Sequence, residues 1–82
     1  MERGLEISRR IDALQTLLRE RSEGAWADRL DTAIAGGSTG TESLFRAGAA
    51  LRDLLSSGVA KRLGVEGEAK DLAGLIDRHL KI

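Results

Sequence analysis

Residues 34–42 read Ile34-Ala35-Gly36-Gly37-Ser38-Thr39-Gly40-Thr41-Glu42, gathering three of the chain's ten glycines into five positions. Upstream, Trp26, Leu30 and Ile34 (or Ala33) recur at helical spacing, and Gly36 is placed to end that helix by taking a positive φ. Downstream, Thr39 and Glu42 have the spacing of a capping box. In that motif the threonine hydroxyl accepts from the third helical amide and the glutamate reaches back to the threonine's own amide. Thr41 is a rival N-cap. Either choice starts a helix near Gly40, with Leu44, Gly48, Leu51 and Leu55 on one stripe and Ala47 and Leu54 broadening it. The segment therefore reads as a break between two helices. Gly48 costs helix propensity within a buried stripe, and its expected return is the close approach of a neighbouring helix over Ala47, Ala49 and Ala50.

Outward from this break the same periodicity continues. Ile7, Ile11, Leu14 and Leu18 fall on one helical stripe, widened by Leu17, until the polar run over residues 19–24 interrupts it. Ser22 is suited to cap the next helix; a continuous helix through Gly24 is the alternative, since glycine costs only about 1 kcal/mol there. Gly58 either ends the third helix or is tolerated inside it. Gly64, after Lys61-Arg62-Leu63, is a better stop, with Val65 placed for the hydrophobic contact of a Schellman ending. A last helix is expected from Glu66 to about His79, with Ala69, Leu72, Ala73, Ile76 and Leu80 along one side. The expectation is an all-α fold, a small bundle of three to four helices forming a single domain over residues 1–82.

Composition agrees. Thirteen Leu and eleven Ala against two Val and four Thr favour helix, because unbranched side chains lose little rotamer freedom there. An 82-residue domain has a thin core, and with no cysteine and one histidine the routes of reinforcement by disulfides or a structural metal are closed or nearly so. Regular packing or self-association is left. No apolar run approaches the roughly 18 residues of a spanning helix, and the N-terminal sequence has no basic region followed by an apolar one, so a cytoplasmic location is expected. The 13 basic and 13 acidic residues cancel, locally as well as globally, which leaves no field of one sign to steer a polyanion. Glu6 and Arg10, Glu42 and Arg46, Glu66 and Lys70, and Asp77 and Lys81 are spaced as i,i+4 pairs on exposed helix surface.

The glycine-rich stretch invites an anion-binding reading, with Ser38, Thr39, Gly40 and Thr41 as contacts, because free amides at a helix N-terminus attract negative charge. It fails the stricter phosphate-loop pattern: no lysine follows Gly40 and no strand precedes Gly36. Residues 59–80 have the outline of a helix-turn-helix, with Ala60 at the small position and Gly64 at the turn. Lys70 occupies a position that normally packs inward, and Glu66, Glu68, Asp71 and Asp77 offset Lys70, Arg78 and Lys81, a poor balance for phosphate neutralisation. His79 has no second imidazole or thiol for zinc, and the serines have no other base, so no catalytic activity and no cofactor are expected.

Trp26-Ala-Asp-Arg-Leu30 followed by Gly37-Ser-Thr-Gly-Thr-Glu42 resembles a group of short bacterial helical proteins in which a W-x-x-x-L helix precedes a G-x-T-G-T-E turn. That resemblance covers roughly residues 11–55; it implies a helical fold and brings no assigned activity. The resulting expectation is a small protein-interaction module, a homo-oligomer through helix faces, with Leu5, Leu17, Leu18, Trp26, Phe45 and Gly48 as candidate interface residues. The other expectations are a heterologous protein partner in a toxin-neutralising or adaptor role, or a DNA-binding regulator using residues 59–80.

Overall fold

The computed structural model describes the backbone of residues 2–80 and the side chains of residues 6–80. Its elements are α1 (Glu2–Glu20), α2 (Gly24–Ala35), α3 (Gly40–Ser57), α4 (Val59–Leu63) and α5 (Glu66–Leu80). The chain is all-α, with no strand among the described residues. Five helices replace the expected three to four, because Gly58 takes a left-handed φ of 82° and splits off α4 from α3. Ser57 holds the break together. Its hydroxyl donates to the Leu54 carbonyl at 2.7 Å and accepts from the Val59 amide at 3.2 Å.

The four long helices close a ring in which α1 packs on α2, α2 on α3, α3 on α5 and α5 on α1, while α4 is a short connector against α3 and α5. The radius of gyration is 11.6 Å, against about 12 Å expected for a compact chain of this length, so no helix projects from the body. One apolar cluster runs through all five helices, built from the stripes the sequence displays: Ile7, Ile11, Leu14 and Leu18; Ala27 and Leu30; Ala47, Ala50, Leu51 and Leu54; Ala60; Val65, Ala69, Leu72, Ala73 and Ile76. Helix α3 is turned slightly from expectation, with Ala47, Leu51 and Leu54 buried and Leu44 and Leu55 at the margin.

Helices α1 and α2 are separate, and Ser22 acts at the end of the first rather than the start of the second. It has a φ of 64°, its amide donates to the Arg19 carbonyl at 3.2 Å and the Glu23 amide donates to Leu18 at 2.7 Å. Those two bonds define a Schellman ending with serine in the position glycine usually takes. Glu23 is the N-cap of α2 and gives no side-chain cap. At the far end of α4 the same device appears as expected: Gly64 has a φ of 75°, its amide donates to Lys61, and the Val65 amide donates to Ala60 with the Val65 side chain buried. Gly36 departs from expectation, ending α2 in right-handed geometry with φ −75°.

Two candidate interface residues are inside the fold. Leu18 is fully buried, because the ring closes α2 and α5 over α1. Gly48 is buried against α5, where an added Cβ would lie 3.6 Å from Ile76 Cγ2. That is ordinary contact, so the helix approach is looser than a glycine would permit. The side chain of Leu5 lies outside the described residues.

Candidate functional site

The turn at residues 34–42 is held from inside. Thr39 is the N-cap of α3, its hydroxyl accepting from the Glu42 amide at 3.1 Å. The reciprocal half of the box is replaced: Glu42 accepts from the Ser38 hydroxyl at 3.2 Å and pairs with Arg46 at 3.7 Å. Thr41 lies exposed within the first turn of α3. The Ser43 hydroxyl donates to the Ile34 carbonyl at 2.8 Å, fastening the start of α3 to the end of α2. Gly37 fits beneath this bond, where a Cβ would lie 2.5 Å from the Ser43 amide nitrogen and 2.7 Å from its Cα.

For an anion this arrangement is unattractive. The structure brings Ser38, Thr39, Gly40 and Thr41 together on the surface, but the Thr39 and Ser38 hydroxyls are engaged and the Glu42 carboxylate occupies the positive end of the helix. The turn works as a cap. Substituting Thr39 by alanine is expected to cost about 1 kcal/mol in urea unfolding, and Thr41 by alanine less than about 0.5 kcal/mol. Equal losses would show that both hydroxyls cap.

The remaining interface candidates do not form one patch. Phe45 is 53% exposed, the one large hydrophobic side chain among the described residues left so open to solvent. It lines a shallow cleft with Leu44, Gly48, Arg52, Ile76, Asp77 and Leu80. Leu17, half-buried, lines a different cleft with Glu68 and Asp71. Trp26 is half-buried against the core and its ring carries the Arg29 guanidinium 4.3 Å from its centroid, with Arg29 also 3.4 Å from Asp53 of α3. Trp26 is thus both a core neighbour and partly accessible.

The segment outlined as a helix-turn-helix forms α4, the Gly64 turn and α5. Lys70 is exposed and pairs with Glu66 at 3.9 Å, so Ala69, Leu72, Ala73 and Ile76 make the inward face. The outer face of α5 carries Glu68, Lys70, Asp71 and Arg78, of both signs. The expected Glu6–Arg10, Glu42–Arg46 and Glu66–Lys70 pairs form, and Asp77 faces Arg52 at 3.7 Å. Lys81 lies outside the described residues. No group of three or more potential metal ligands gathers among the described residues.

Four polar side chains with no signature in the sequence join distant parts of the chain. Gln15 is the one buried polar residue among those described; its amide donates to the Ala27 carbonyl at 3.2 Å and to Asp31 at 2.6 Å. Arg19 bridges Asp28 at 3.0 Å and Asp31 at 3.3 Å, so the two acids of α2 face a base on α1. Arg21 donates to the Leu63 carbonyl, and Arg62 reaches back to Glu23 at 2.6 Å, tying the α1–α2 turn to the end of α4.

Beside the Gln15–Asp31 contact lies a cleft of about 600 Å³, larger than four other clefts of the described residues, between α1, the end of α2, the start of α3 and the end of α5, with Ile11, Ile34 and Leu44 among its lining residues. No family model, curated protein or solved structure matches the chain. No helix of the described residues is long and apolar enough to cross a membrane.

Proposed function

We propose that this domain is a small, non-catalytic protein-interaction module that self-associates through the face of α3 centred on Phe45. The exposure of that ring carries the reading. Other large apolar side chains of the described residues are at least partly covered, so a phenylalanine left in water beside Leu44 and Leu80 favours a surface made to be covered. On a two-fold axis the patch meets its own copy and each ring is buried once per subunit. Burying one such side chain is worth about 1.5–3 kcal/mol, so a pair and its flanking leucines support association on the order of 100 micromolar rather than an obligate dimer.

Sedimentation equilibrium over a concentration series tests this. The expected result is an apparent mass that rises toward the dimer, and a Phe45→Ser chain that stays monomeric to at least about tenfold higher concentration. A wild-type chain strictly monomeric at millimolar concentration, or a variant that associates equally well, overturns self-association. Capture of a defined heterologous protein by the monomer would instead favour the adaptor role, and salt-sensitive binding of duplex DNA the regulator role.

A further inference from the structure

We propose that the 600 Å³ cleft between α1, the end of α2, the start of α3 and the end of α5 is a docking groove for a basic amphipathic helix of another protein. Three observations converge on that occupant. Among the lining residues Ile11, Ile34 and Leu44 offer apolar contact, with Ile11 buried and the other two half-buried. Its ionisable lining is Asp12, Asp31 and His79, with no lysine or arginine, whereas each of four smaller clefts carries at least one arginine in its walls. Asp31 is already engaged by Gln15 and Arg19. Asp12 is exposed on α1, and its carboxylate has no hydrogen-bond or ion-pair partner among the described residues. On a chain of zero net charge, this recess of the described residues is therefore a partly apolar groove bordered by an acid free to receive a cation.

An amphipathic helix matches this pairing of features, because its apolar residues at i, i+3 and i+4 enter a groove while a lysine or arginine at its edge meets the carboxylate. Ser8 and Thr41, both exposed in the walls, add hydroxyls that can accept from a lysine ammonium. The groove takes Leu44 from the cleft that holds Phe45 but not the aromatic ring, so it is separable from self-association.

The test uses the full chain carrying Phe45→Ser and a synthetic amphipathic helix of leucine and lysine, with a counterpart in which glutamate replaces each lysine. Amide shifts in nuclear magnetic resonance are expected at Ser8, Asp12, Thr41 and His79 with the lysine peptide and not with the glutamate peptide. Asp12→Lys is expected to weaken binding by about tenfold or more through like-charge contact, and Ser8→Arg, on the same wall, to weaken it likewise. Equal binding of both peptides, unchanged affinity in both variants, or shifts confined to Gly48, Arg52 and Leu80 of the neighbouring cleft would overturn the proposal. None of these outcomes bears on whether the wild-type chain self-associates.

Discussion

Replacing Gly37 by alanine is expected to destabilise the domain by about 3 kcal/mol, near the upper end of what overpacking usually costs. The cause is not backbone dihedral strain, because the described glycines with positive φ are Gly58 and Gly64. It is space: the new methyl would overlap the backbone of Ser43, with contacts of 2.5 Å and 2.7 Å that no rotamer can relieve. Opening that gap would also pull the Ser43 hydroxyl from the Ile34 carbonyl and part α2 from α3. Gly36 is the internal control. It is right-handed, and the nearest side chain to its added methyl is the flexible end of Arg46 at 3.2 Å, so its alanine variant is expected to change stability by less than about 1 kcal/mol. Urea unfolding of both variants measures the difference, and similar losses would refute the packing argument.

Leu51→Ala is expected to cost a similar or larger amount, about 3–4 kcal/mol, through lost transfer energy and the cavity left behind. Leu51 is fully buried on α3, the helix that packs against α2, α4 and α5 at once, so a collapse that fills the void must move several neighbours. A chain of this length has about 4–12 kcal/mol of stability in all. The variant should therefore melt at least about 12 °C lower. A shift of only a few degrees would mean that the core around Leu51 is loosely packed.

The helices themselves were legible because their evidence is local. Stripes such as Ile7, Ile11, Leu14 and Leu18 repeat at the helical period, and Thr39 and Gly64 act at the ends their chemistry suggests. Ser22 was misread because a polar residue between two stripes suits either the end of one helix or the start of the next, and only the backbone dihedral decides. Gly36 and Gly37 are chemically identical in the sequence, yet the one that must be glycine is set by Ser43, six residues from Gly37. Leu18 and Phe45 differ for a similar reason. A wide apolar stripe does not say whether its partner is another helix of the same chain or a second molecule. The ring of helices covers Leu18 and leaves Phe45 in water. The acid-bordered groove had no signature, since Asp12, Thr41 and His79 come from three separate parts of the chain.

The paired contacts of Arg21 with Leu63 and Arg62 with Glu23 tie the α1–α2 turn to α4, a helix that does not itself pack on α1 among the described residues. Helix α4 has five residues, with Ala60 buried and Val59 and Leu63 half-buried on the core, while toward the α1–α2 turn its attachment is charge and hydrogen bonding. Charge of this kind is screened as the Debye length shrinks from about 10 Å at 0.1 M salt to about 3 Å at 1 M. Raising the salt concentration is therefore expected to speed amide exchange in α4 more than in the four long helices, and equal change throughout would show that the Arg62–Glu23 pair does not hold this corner.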